Sequence, residues 1–179
     1  LAMTIVWLSI FSNDRLGIIN SILLKYAIIS SPVLWTKDPR YIMFVIIFVH
    51  VWMSSGVSFL SFLAGFKTIP GELYEAGSID GIGSKYQHLW HITIPMMKPQ
   101  LLFGAIMNIV ASFGVFDIAI SIAGFPSPND AASTIVTHLY DYAFIRFDMG
   151  YASAIAVILF LITFLMGRVC MKLFSTRDT

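Results

Sequence analysis

Residues 68–99 read TIPGELYEAGSIDGIGSKYQHLWHITIPMMKP, a long polar passage between two strongly apolar segments. It carries Glu72, Glu75 and Asp80 beside Lys67, Lys85 and Lys98, in a chain with only 10 acidic and 11 basic side chains. Pro70 suits the first turn of a helix, where its missing N–H costs nothing, and Glu72 then sits at the positive end of the helix dipole. Gly71 to Ile79 is predicted as about two turns of helix. Leu73, Ala76, Gly77 and Asp80 follow i, i+3, i+4, i+7 spacing and so share a face. Ala76 and Gly77 are small enough there to admit a partner's bulky side chain. Asp80-Gly81 is a turn dipeptide, with Gly81 free to take positive φ and end the helix.

A second start signal follows at once. Ser84 and Gln87 fit a capping box, in which each side chain satisfies an orphan N–H of the new helix. Tyr86, Leu89, Trp90 and Thr93 form a stripe, with Lys85, His88 and His91 mostly off it. Ile94 precedes Pro95, which disfavours the α region, so the second helix is predicted to stop there. Two capped helices joined by a glycine are more than a solvated connector needs.

Outward from this loop the chain is apolar. Of 179 residues, 58% are hydrophobic and 12% charged, about half the charged share of a soluble domain, and mean hydropathy is +0.82. The class is all-α integral membrane. A net charge of +1 gives no footprint for nucleic acid. Cys170 is the single cysteine, which excludes an internal disulfide or a multi-cysteine metal site. The chain is expected to be one domain over residues 1–179 and the C-terminal portion of a longer protein. Leu1 to Phe11 is too short to span and reads as the end of a truncated helix.

Leu16 to Lys25 reads as an amphipathic piece with Ile18, Ile19, Ile22 and Leu23 on one side. An irregular loop follows, with Trp35 as an interfacial anchor. Three complete spans are expected. Tyr41 to Phe66 would be about 39 Å long, and Ser54, Ser58, Ser61 and Gly65 give it a small-residue stripe for close packing. His50 within it is either a hydrogen-bonded structural residue or a proton site. Leu101 to Ala123 carries Asn108, Ser112 and Asp117 with Phe113 and Phe116 alongside. These groups either bind neighbouring helices or line a solute path, since sugars need both aromatic faces and hydrogen-bonding groups. In a regular helix Asp117 lies about 140° from Ser112, off one clean stripe. Tyr151 to Cys170 is the last span, with Arg168, Lys172 and Arg177 at its end. His138, between the last two spans, reads as an ordinary surface residue.

Glu75-Ala76-Gly77-x-x-Asp80-Gly81, followed by Ile92-x-Ile94-Pro95, resembles the EAA loop of permease subunits of binding-protein-dependent ABC importers. That family's pattern is E-A-A-x-x-x-G, nine residues, then I-x-L-P; here Gly77 replaces the second alanine, Ile94 replaces leucine, and ten residues separate Gly81 from Ile92. The ELYEA lead-in looks most like the carbohydrate branch, the maltose-permease relatives. Gly17-Ile18-Ile19-Asn20, Ser112-Phe113-x-x-Phe116-Asp117, Gly124-Phe125-Pro126 with Thr134, the Thr137–Phe147 segment and Gly150-Tyr151-Ala152-Ser153-Ala154 extend the resemblance over most of the chain. Phe125 departs from it by replacing a glycine. The resemblance implies a polytopic helical bundle of the importer-permease type, with residues 67–99 as a cytoplasmic coupling loop. The lysines and arginines divide almost evenly between the two sides, so orientation rests on the resemblance.

By the same resemblance, the chain pairs with a second related permease, ATPase subunits and an extracellular solute-binding protein in a prokaryotic cytoplasmic membrane. Glu72, Glu75, Ala76, Gly77, Asp80, Gly81, Ile92 and Pro95 would couple to the ATPase. Asn108, Ser112, Phe113, Phe116 and Asp117 would line a path for a sugar or sugar-like solute. The chain has no P-loop sequence, so ATP and Mg would be held by the partner ATPase. His88-x-x-His91 is not a zinc motif and no metal site is expected. No Ser-His-Asp arrangement is evident, so the chain is expected to be a transport subunit rather than an enzyme. Two alternatives stay open: an ABC permease for a non-sugar solute, and an ion-coupled carrier using Asp117 and His50.

Overall fold

A computed structural model describes residues 2–174, so Arg177 lies outside the described residues. The helices run α1 (Ala2–Ile10), α2 (Ile18–Lys25), α3 (Ile42–Lys67), α4 (Gly71–Ile79), α5 (Lys85–His88), α6 (Ile94–Met96), α7 (Lys98–Ala111), α8 (Val115–Ala123), α9 (Ile135–Tyr140) and α10 (Met149–Phe174). A π turn, Leu89–Thr93, joins α5 to α6, and a 3-10 turn, Ser112–Gly114, joins α7 to α8. Among the described residues there is no strand. Ile42–Lys67, Lys98–Ala123 and Met149–Phe174, each 26 residues, are long and apolar enough to cross a membrane. The three expected spans are therefore present: the first is shifted by one residue, the second begins three residues earlier, and the third is longer at both ends.

The chain divides into two compact units. The first comprises residues up to Met53 with Ser112–Phe160. Its core is a stripe of α3, Ile42, Val45, Ile46 and Val49, together with Ile118, Ala119 and Ile122 of α8, Phe11 and Ala132. Trp7 meets Phe11, Phe48 and Trp52, and Trp35 meets Phe11 and Tyr41, all with ring centroids within 6.0 Å.

Asn20 ties the segments around α2 together. It is fully buried. Its Nδ2 donates to the carbonyls of Ser12, Asp14 and Val33, each at 3.0 Å. Its Oδ1 accepts from Val33 N–H at 3.1 Å and from Trp35 Nε1 at 2.9 Å. Asn13 and Thr36 form a second bridge beside it, Asn13 Nδ2 to Thr36 Oγ1 at 2.7 Å and Thr36 N–H to Asn13 Oδ1 at 3.0 Å. The expected apolar side of α2 is divided between the surface and the interior. Ile18 and Ile22 are exposed, and the inward side carries Asn20 with half-buried Ile19 and Leu23. Five hydrogen bonds to otherwise orphaned groups outweigh the burial of two isoleucines that an apolar environment could equally cover.

The second unit holds Ser54–Ala111 and the residues from Leu161 onward. Here the C-terminal half of α3 runs antiparallel to α7. Asn108 Nδ2 donates to Ser58 Oγ at 2.6 Å. A Cβ at Gly104 would lie 2.6 Å from the Phe62 ring, and one at Gly65 would lie 2.5 Å from Gln100 Cγ. The expected small-residue stripe is therefore used at Ser58, through its hydrogen bond, and at Gly65, where the missing side chain lets the two helices close.

One expected helix end is corrected. Ile94 has φ −61 and ψ −46, so it stays helical in front of Pro95. Its N–H reaches back five residues to Leu89 O, a π register. That wider turn opens space ahead of the proline ring, whose clash with the preceding turn normally ends a helix. Pro95 itself falls in the first turn of α6, where no N–H is required.

Replacing Asn20 with alanine leaves Trp35 Nε1–H, Val33 N–H and the three carbonyls without these partners. Loss of these bonds should cost at least about 3 kcal/mol, read as thermal unfolding of the full-length protein in detergent. A cost under about 1 kcal/mol would mean that these groups find water instead.

Candidate functional site

The loop between α3 and α7 folds as two capped helices. Pro70 is the N-cap of α4 (φ −62, ψ 136), one position ahead of the first turn, and Glu72 lies within that turn. At the other end Gly81 takes φ +93. Ile82 N–H donates to Gly77 O at 2.9 Å and Gly81 N–H to Ser78 O at 3.3 Å, the bond pair of a Schellman cap. Next, Ser84 Oγ accepts from Gln87 N–H at 3.2 Å while Gln87 Oε1 accepts from Ser84 N–H at 3.2 Å. The expected capping box and glycine stop are both present.

The two helices are held face to face. A Cβ at Gly77 would lie 2.7 Å from Ile92 Cδ1 and 3.3 Å from Ile82 Cδ1, so this glycine is covered from within the loop. Tyr74 Oη and Thr93 Oγ1 share a hydrogen bond at 2.9 Å. Thr93 Oγ1 also donates to His88 O at 3.3 Å, and the His88 ring lies 5.7 Å from the Tyr74 ring. A cleft of about 590 Å³ opens between the helices, lined by residues including Tyr74, Glu75, Lys85, Tyr86 and His88.

The expected faces shift accordingly. Thr93 is buried, so it leaves the Tyr86–Trp90 stripe and turns inward, and His88 joins it there. The extra residue of the π turn rotates the residues after it, which spacing alone does not reveal. Gly77 is buried while Leu73, Ala76 and Asp80 stay exposed. The outward surface is apolar at Ile79 (87% exposed), Tyr86 (79%) and Trp90 (66%), with Glu72 and Glu75 also exposed. Tyr74 and Thr93 went unrecognised in the sequence as the residues that fix the loop. A tyrosine and a threonine 19 residues apart give no periodic signal.

The residues expected along a solute path do not form one cluster. Asn108 is committed to Ser58 Oγ and to Gly104 O at 2.8 Å, so it binds a neighbouring helix. Phe116 packs on Tyr140 at 4.9 Å, which occupies its face. Ser112 and Phe113 lie in the 3-10 turn and are exposed, so the angle expected for a regular helix does not apply. Asp117 is exposed in the first turn of α8 and, among the described residues, carries no hydrogen bond or ion pair. Nor do the described residues contain a group of three or more His, Cys, Asp and Glu able to hold a metal ion.

The model of a family described as binding-protein-dependent transport system inner membrane component matches residues 1–177. The probable ABC transporter permease protein YesP of Bacillus subtilis (strain 168) is 36% identical over 178 residues, 99% of this chain and 55% of that protein. The arabinooligosaccharides transport system permease protein AraP of the same strain is 32% identical over 169 residues, 94% of this chain and 53% of that protein. The chain thus spans about half the length of these curated relatives. A bacterial ABC transporter involved in the import of the acidic polysaccharide alginate contains a chain of the same fold, with a TM-score of 0.75 and 18% identity, covering 99% of this chain and 61% of that one.

Gly77→Leu should separate α4 from the π turn and cost about 2 kcal/mol through overpacking, and Ile92→Ala in the same chain should recover at least half of that. Thermal unfolding of the two single variants and the double variant measures the coupling. Strict additivity would mean that Gly77 and Ile92 are not in contact. Gly77→Ala should stay within about 0.5 kcal/mol, because the Ile92 methyl can swing aside and alanine favours the helix.

Proposed function

The chain belongs to the binding-protein-dependent transport system inner membrane component family, and on that premise we propose that it is part of the membrane-spanning permease subunit of an ATP-driven importer. The solute is a sugar or sugar-like molecule delivered by an extracellular binding protein. The observation that carries this reading is the doubly capped loop between two membrane-length helices, with an apolar face at Ile79, Tyr86 and Trp90 left open. An amphipathic helix pair of this kind suits a groove on a partner. That partner is an ATPase subunit, which holds ATP and Mg, and closure of the ATPase dimer moves the loop and the helices attached to it.

In this mechanism the Gly77–Ile92 and Tyr74–Thr93 contacts make the loop one rigid body. The π turn and α6, joined to α7 through the single turn residue Met97, carry its motion into the second span. Glu72, Glu75 and Asp80 meet the ATPase through polar contacts, and Gly81 sets the bend. A second permease subunit completes the solute path, with Asp117, Ser112 and Phe113 on its wall. The membrane is the prokaryotic cytoplasmic membrane, and this loop lies on its inner side. The sugar class rests on the family membership together with the arabinooligosaccharide permease among the relatives. An ion-coupled carrier would need communicating sites, but among the described residues no hydrogen bond or ion pair links Asp117 to His50.

Glu75→Lys reverses a charge on the exposed face, and Gly81→Pro forbids the positive φ that ends α4. Each should lower solute uptake at least tenfold in cells while the full-length protein still inserts at parental levels. Normal uptake by both variants would remove the loop from the coupling role.

A further inference from the structure

From the end of α8 to Arg146 the first unit lines a cleft of about 850 Å³ that the transport reading does not use. Its volume falls within the range of small-molecule sites, about 300–1,000 Å³. Three independent features shape it.

An aromatic wall comes first. His138 and Tyr142 line the cleft 4.8 Å apart, and Tyr151, outside the lining, packs 4.4 Å from Tyr142. His138 is half-buried and lines the cleft, which corrects its reading as an ordinary surface residue. The Thr134–Thr137 capping box fixes the start of α9 and hence places His138 one residue further along. Phe125 adds a second ring, set edge-on against Tyr140 at 5.9 Å.

The second feature is an ordered charge pair. Arg146 Nε donates to Asp141 Oδ2 at 2.7 Å, and its guanidinium lies 4.5 Å from the Tyr142 ring centroid. The π turn Asp141–Ile145 brings these two side chains together. Arg146 is thereby occupied by a carboxylate and a ring, so it does not present a free cation.

The third is an uncommitted carboxylate. Asp130 lines the cleft, and among the described residues neither its carboxylate nor the His138 ring nitrogens have a hydrogen-bond partner. Two carboxylates against one guanidinium leave the wall net negative.

The partly exposed Phe125 ring beside the hydrogen-bonding groups of Asp130, His138 and Asp141 matches a sugar ring, which is apolar on its faces and hydroxylated at its rim. The negative wall disfavours an anionic ligand, because a second carboxylate brought to Asp130 and Asp141 meets like charge. We propose that the cleft framed by Phe125, Asp130, His138, Asp141, Tyr142 and Arg146 is a saccharide subsite for neutral sugars that rejects uronates. In the importer reading, on which the transport context rests, it holds part of the solute outside the membrane before entry.

The test uses the full-length permease with its co-purifying subunits in lipid nanodiscs, without any binding protein. Saturation-transfer NMR is recorded with arabinotriose, maltotriose, raffinose and trigalacturonate. At least one neutral trisaccharide should bind, Asp130→Asn should weaken that binding about tenfold, and Ser133→Trp, a ring placed on the exposed rim, should abolish it. Trigalacturonate should bind at least tenfold more weakly than the best neutral sugar. Thermal unfolding of both variants confirms that they remain folded. No binding of any neutral trisaccharide to the parent, equal binding by parent and folded variants, or equal binding of trigalacturonate overturns the subsite. ATP hydrolysis by the same preparation separates the two readings. Sugar binding without an ATPase contradicts the importer alone, and an ATPase complex without cleft binding contradicts the subsite alone.

Discussion

Helices of one or two turns do not persist in water on propensity alone, so the loop between α3 and α7 depends on the contact that presses its two halves together. Ile92 fills the space left open by Gly77, and Tyr74 bonds Thr93 across the same seam. The Ser84–Gln87 box satisfies orphan N–H groups at the start of α5, and the Schellman bonds satisfy carbonyls at the end of α4. With the inner faces joined, Ile79, Tyr86 and Trp90 are left on the outside. The apolar surface available to a partner is thus a consequence of internal packing.

The π turn then connects this seam to the membrane. Had the helix stopped at Ile94, the loop would hang from α7 by a joint. Instead the chain stays helical through Met96, and only the turn residue Met97 stands between the loop and α7. Thr93 sits at the centre of this arrangement, since it bonds both Tyr74 and the His88 carbonyl. Within the second unit, α7 is in turn locked to α3 by Asn108, Gly104 and Gly65. In a bilayer such contacts carry weight because lipid offers helices no hydrogen-bond partners and there is no hydrophobic driving force between them.

Much of this was legible in the sequence. Hydropathy over 26 residues announces each long helix, and the Ser84–Gln87 box and Asp80-Gly81 stop announce the loop helices, because these signals are local. What escaped was decided at a distance. Asn20 carries no sign of its role in the sequence until the carbonyls of Ser12, Asp14 and Val33 converge on it. Phe116 reads as free to stack until Tyr140 covers it. The π turns at Leu89 and Asp141 leave no signature in spacing, yet they decide where Thr93, His88 and Arg146 stand. For the candidate solute path, residue types alone suggested five lining positions. The structure commits Asn108 and Phe116 elsewhere and leaves Ser112, Phe113 and Asp117 exposed.

The central claim is that the outward face of the capped loop docks on an ATPase, and cross-linking of the intact transporter tests it most directly. In a Cys170→Ser background, single cysteines at Ile79, Trp90 and, as a control, Phe144 would be treated in membranes with a short bifunctional maleimide. All three positions are more than half exposed, so accessibility does not bias the comparison. The account predicts an adduct with the ATPase subunit from Ile79→Cys and Trp90→Cys and none from Phe144→Cys. An adduct from Phe144→Cys alone, or from none of the three in an assembled, hydrolysing complex, would contradict it.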